Sequence, residues 1–88
     1  MGTSKRISTD DVFRVYEKKG AKVTVRKLDR ATVLLEGDRT ALEFLGNLLV
    51  ACARSDEHSV QLSPRGAGKN RFSKESTLGL YVHKLPCA

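Results

Sequence analysis

Residues 38 to 55 read DRTALEFLGNLLVACARS, and the spacing of their apolar side chains decides the fold. Ala41, Leu42, Leu45, Leu48, Leu49 and Cys52 recur at the three- and four-residue steps that put side chains on one side of a helix. Asp38 stands where a side-chain oxygen caps the first turn. The stretch is therefore a helix over about 39–55, and its neighbours in sequence must supply the surface it packs on. Gly46 inside it costs about 1 kcal/mol relative to alanine, which a close helix-to-sheet approach at that point would explain.

Upstream, KVTVRKL (22–28) alternates, with Val23 and Val25 on one face and Lys22, Thr24 and Arg26 on the other, the pattern of a half-buried strand. Asp29 and Arg30 make a tight turn, and ATVLLEG (31–37) runs back as a second strand. Downstream, DEHSVQLS (56–63) and TLGLYVHKLP (77–86) read as a third and a fourth strand. Opposing Val60 to Val82 and Leu62 to Leu80 keeps their apolar side chains on one face. A slip by one would bring His58 opposite His83 and mix the faces.

The segment STDDVFRVYEKKG (8–20) carries helix boundary signals: Ser8 and Thr9 as caps, Asp10 and Asp11 in a first turn, Lys18 and Lys19 in a last turn, Gly20 beyond. Its Val12, Phe13, Val15 and Tyr16 suit a strand equally, so residues 9–19 stay open between the two. The order is αββαββ. The fold class expected is α+β, a four-stranded antiparallel sheet with the main helix (39–55) packed on one face. Leu45, Leu48, Leu49, Val60, Leu62, Leu80 and Val82 are its expected core.

A chain of 88 residues supports one small core, so 1–88 is expected to be a single domain. The longest apolar run, Leu48 to Ala53, is far short of the roughly 20 residues that cross a bilayer. Residues 1–7 lack a signal-peptide stretch, and Arg6 breaks the myristoylation pattern. The expectation is a disordered lead over 1–7 and a cytoplasmic protein. Two cysteines do not make a disulfide framework, and both are expected as reduced thiols.

The net charge of +6 is uneven. Residues 1–30 hold nine Lys/Arg against four Asp/Glu, residues 36–57 two against five, and residues 64–76 four against one. Such a balance favours anionic partners without specifying one.

SPRGAGKN (63–70) resembles a phosphate-binding loop only at first sight. The Walker form needs a glycine where Ser63 stands and a hydroxyl where Asn70 stands, and it needs a helix after the loop rather than another strand. Residues 64–76 are expected instead as a mobile basic loop. Its Arg65, Lys69, Arg71, Phe72 and Lys74 form the first candidate partner-binding site. The alternative is the outer sheet face, where Lys22, Arg26, Gln61, Tyr81 and His83 could track phosphates and stack bases.

Cys52, His58, His83 and Cys87 have ligand chemistry for zinc, but the strand register separates the histidines and the spacing fits no zinc knuckle. No metal, cofactor, membrane contact or small-molecule substrate is expected. Ser, His and Asp residues lie scattered with no motif turn around a nucleophile. No catalytic residue is assigned and no enzyme is expected.

VLLEGDRTALEFLGNLLVACAR, followed by HSVQLSP and GLYVHKLP, resembles small uncharacterised bacterial domains that include predicted immunity proteins of polymorphic toxin systems, over about residues 33–86. The shared pattern is a strand, a Gly-Asp or Gly-Asn turn, a leucine-rich helix, a His-containing strand and a closing strand. The resemblance implies binding and neutralising a toxin without catalysis, and it carries no binding-residue motif. Immunity proteins against nucleases are usually acidic, so a charge of +6 sets this chain apart from that group. The function expected is a non-catalytic module that binds a protein, with nucleic-acid binding by loop 65–74 and the face around Arg26 and Tyr81 as the alternative.

Overall fold

Ser8 opens the first helix with a reciprocal cap: its hydroxyl accepts from the Asp11 amide at 3.1 Å, and the Asp11 carboxylate accepts from the Ser8 amide at 3.2 Å. This local chemistry settles helix over strand, and α1 spans Thr9–Glu17. Gly20, at φ +66°, turns the chain after it. The computed structural model describes residues 8–56 and 58–86. The expected lead over 1–7 lies outside them. After α1 come β1 (Thr24–Asp29), β2 (Thr32–Glu36), α2 (Arg39–Arg54), β3 (Ser59–Leu62), a single 3-10 turn (Lys69–Arg71) and β4 (Leu80–His83). The class is α+β. No helix among the described residues is long and apolar enough to cross a membrane.

The strands form two two-stranded antiparallel sheets, β1–β2 and β3–β4, in place of the expected four-stranded sheet. The physical reason lies at the inner edge of β1. The Val23 amide donates to the Arg71 carbonyl at 2.8 Å, the Ser73 amide to the Val23 carbonyl at 2.8 Å, and the Thr77 amide to the Val25 carbonyl at 2.9 Å. The Ser76 hydroxyl accepts from the Val25 amide at 3.0 Å. Residues 71–78 thus occupy the edge that β3 or β4 would need. The β3–β4 register is the expected one, Val60 opposite Val82 and Leu62 opposite Leu80.

α2 is capped at its start by the Asp38 carboxylate, which accepts from the Ala41 amide at 2.9 Å. At its end the Lys84 ammonium donates to the Ser55 carbonyl at 2.6 Å, where a cation offsets the helix dipole. Ala41, Phe44, Leu45, Leu48, Ala51 and Cys52 are its buried face. All of these except Cys52 belong to one core cluster with Val12 and Tyr16 of α1, Val23, Val25 of β1, Leu62 and Phe72. Phe44 sits at 5.6 Å from the Phe13 ring and 5.7 Å from the Tyr16 ring, within the range of favourable tilted pairs. Leu45, Leu48 and Leu62 are core as expected, and Val60, Leu80 and Val82 are half-buried. Leu49 is not core: it is 51% exposed, because it lies on the flank of α2 opposite Phe44 and Asn47, which meet α1. Gly46 shares that exposed side, and a Cβ there would meet nothing within 4 Å, so no helix-to-sheet approach accounts for it.

Candidate functional site

The glycine loop is built by turns. The Ser63 amide donates to the Ala67 carbonyl at 2.7 Å, the Gly66 amide to the Ser63 carbonyl at 3.2 Å and the Lys69 amide to the Gly66 carbonyl at 3.0 Å. Gly68 takes φ +75°, and a Cβ on it would run into the Leu62 side chain. Its glycine is therefore explained by backbone conformation and packing against the core.

Of the five loop residues proposed from the sequence, two face inward. Phe72 is core, bridged to Val23. The Arg71 guanidinium lies under α1, donating to the Phe13 carbonyl at 3.3 Å, 3.6 Å from the Glu17 carboxylate and over the Phe13 ring. Arg65, Lys69 and Lys74 are exposed. Beside them an open cleft of about 470 Å³ is lined by Asp10, Phe13, Gln61, Lys69 and Arg71 among others. It sets a carboxylate against two cations, one of which α1 already holds, so no single ligand charge is selected.

The alternative sheet-face site divides. Gln61 and Tyr81 are opposite each other, and His83 stacks on Tyr81 at 6.2 Å with 14° between the rings. Arg26 lies on β1 of the other sheet and Lys22 in the segment before that strand, where its ammonium donates to the Asn70 carbonyl at 2.9 Å. Thr24, between them in sequence, is buried against Ser73, to whose hydroxyl it is hydrogen-bonded. Cys52 is buried on α2, while the β3–β4 register sets His58 beyond the Ser59–His83 pair. Cys87 lies outside the described residues. No group of three or more His, Cys, Asp or Glu side chains able to hold a metal occurs among the described residues.

The surface that the sequence reading missed is apolar. The backbone of Val25 bonds away from β2, so Val25 and Leu35 form a pair without mutual backbone hydrogen bonds, and the Leu35 amide and carbonyl point outward. The side chains of Val33 and Leu35 lie on the same sheet face as Val25, the face α2 covers. Yet Val33 is 55% and Leu35 49% exposed, because α2 and α1 cover β1 and the 71–78 segment rather than β2. α1 meets α2 through Phe44 and Asn47, the latter donating to the Tyr16 hydroxyl at 2.6 Å. The opposite flank of α2 presents Leu42 at 48% and Leu49 at 51% exposure, with Gly46 between them. Because α1 lies over Arg71, at the edge of β1 away from β2, this flank is turned toward the β2 side. These four exposed aliphatic side chains, two from β2 and two from the α2 flank turned away from α1, are the apolar shelf. The signal in the sequence was the width of the α2 apolar arc, roughly 200° at about 100° per residue, wider than one covered face requires.

Comparison of the chain with protein-family models, with curated proteins and with solved structures gave no match.

Proposed function

We propose that the chain is a non-catalytic binding module whose partner is a protein, docked on the shelf formed by Val33, Leu35, Leu42 and Leu49. The observation that carries this reading is the exposure of these four aliphatic side chains, two on an edge strand and two on a helix flank. Scattered exposed leucines are ordinary, whereas a contiguous apolar patch marks an interaction surface. The exposed cations Arg65, Lys69 and Lys74 add long-range attraction toward an acidic partner. The resemblance to immunity proteins implies the same kind of role, binding without chemistry.

A second reading, nucleic-acid binding, is favoured by one feature, the exposed Tyr81–His83 stack beside Gln61. The two readings separate by experiment. The tagged chain and its Leu42→Lys, Leu49→Lys variant are used to capture proteins from the native host, and both are titrated with short DNA and RNA at two salt concentrations. A bound protein, whether another chain or an untagged copy, should be lost with the variant. Retention of the same proteins by the variant, or submicromolar nucleic-acid binding that falls steeply with salt, overturns the reading.

A further inference from the structure

We propose that the occupant of the shelf is a second copy of this chain, joined edge to edge through β2 across a two-fold axis. This rests on the reading of the shelf as an interface, and it names the partner.

Edge strands invite pairing, and proteins that stay monomeric protect them with lysine, proline or an inward charge. The outer edge of β2 has none of these within Thr32–Glu36, its one charge being the terminal Glu36. Among the described residues β2 is paired with β1 alone. The backbone amides and carbonyls of Val33 and Leu35 point outward, as the bonding of Val25 away from β2 requires.

The strand is also complementary to itself. Antiparallel pairing of two copies centred on Leu34 sets Val33 of each opposite Leu35 of the other, and these are the residues with free backbone groups. Leu34 meets its own counterpart as the pair without backbone bonds, where side chains approach most closely. Thr32 falls opposite Glu36, so no like charges face each other within the paired strands. A register shifted by one would oppose outward groups to inward ones and lose the bonds.

The helices agree with this arrangement. In the four-stranded sheet β1–β2–β2–β1 both copies of α2 lie on one face, over strands about 14 Å apart at the usual spacing. Their flanks with Leu42, Gly46 and Leu49 face each other over Val33 and Leu35. A standard interface takes about 800 Å² from each partner, about one-eighth of the 6352 Å² this chain exposes.

The test uses the whole chain. Sedimentation velocity from 1 to about 200 µM should show a reversible dimer. Val33→Pro removes an outward amide that the monomer leaves unused, and Leu35→Lys puts a charge on the shelf. Each should weaken the dimer at least tenfold while circular dichroism shows the fold retained. For register, Leu34→Cys and Leu35→Cys are compared in a Cys87→Ser background under mild oxidation. Leu34→Cys should give a disulfide-linked dimer, since only this residue meets its own counterpart within bridging distance. A monomer at 200 µM, a dimer unaffected by both edge variants, or cross-linking at 35 as fast as at 34 overturns the proposal. A monomer whose shelf variants still lose a captured host protein refutes the second copy alone and leaves the binding-module reading standing.

Discussion

Replacing Gly46 by alanine should stabilise the folded chain, although the residue sits in the middle of its principal helix. Gly46 is exposed within Arg39–Arg54, and a Cβ built on it would meet no atom within 4 Å. The substitution therefore adds helix propensity and restricts the unfolded chain without a steric cost, a gain of about 0.5–1 kcal/mol. For a domain of this length that raises Tm by roughly 2–8 °C. The contrast is Gly79→Ala. There the new Cβ would overlap the Leu62 carbonyl oxygen and stand 3.1 Å from the Ser63 Cα, both backbone atoms with little room to yield. Overpacking of that kind costs about 1–3 kcal/mol. Thermal melts by circular dichroism at about 1 µM keep self-association out of the comparison. A lower Tm for Gly46→Ala would show that the flank of α2 is covered by the chain itself and would refute the reasoning about the shelf.

Leu48→Ala should destabilise by about 2–5 kcal/mol in urea denaturation, since Leu48 is 1% exposed in the middle of the core. Arg71→Ala should cost about 1–3 kcal/mol, through the lost bond to the Phe13 carbonyl and the packing on its ring, whereas Glu17→Ala should change stability by less than about 0.5 kcal/mol because Glu17 is 68% exposed. The Asp29 carboxyl is held below its usual pKa by the Ala31 amide, which donates to it at 2.8 Å. Its contribution to the hairpin turn is full above the ordinary aspartate range and is lost as pH falls through the lowered value. An NMR titration should show the Ala31 amide shifting with an apparent pKa below 3.8, and Asp29→Asn should abolish that titration.

Elements governed by local chemistry were legible in the sequence. Asp38 and the helical spacing after it gave α2, whereas residues 9–19 stayed open between helix and strand until the reciprocal cap of Ser8 and Asp11 decided for α1. The β3–β4 register followed from keeping Val60, Leu62, Leu80 and Val82 on one face. The joining of strands into sheets was not legible, because the segment that claims the edge of β1 does not look like a strand. FSKESTL (72–78) lacks alternation and bonds to β1 partly through the Ser76 hydroxyl, with Ser73 on Thr24. Polar side chains that replace ladder bonds read as loop. The same segment buries Phe72 and Arg71, so two residues taken for a contact surface belong to the fold. Phe44 was passed over although Ala41, Phe44, Leu48 and Ala51 also recur at helical spacing.

Leu42 and Leu49 carry the deeper lesson. Periodicity reports that a residue is apolar and on a given side of a helix, and a reader supplies the rest by assuming that the chain itself provides the cover. Here the layers do not reach far enough. α1 and the 71–78 segment lie on one side of β1, β2 lies on the other, and among the described residues there is no third helix to lie over β2. A short chain has little apolar surface with which to cover a second helix flank. A sequence that nevertheless keeps Val33, Leu35, Leu42 and Leu49 aliphatic, and leaves the β2 edge uncharged between its ends, carries the solubility hazard of an uncovered strand. That hazard disappears when the edge is paired. Both halves of the anomaly, apolar side chains without cover and backbone groups without partners, are removed by one antiparallel contact centred on Leu34, which is why the shelf and the edge are explained together rather than separately.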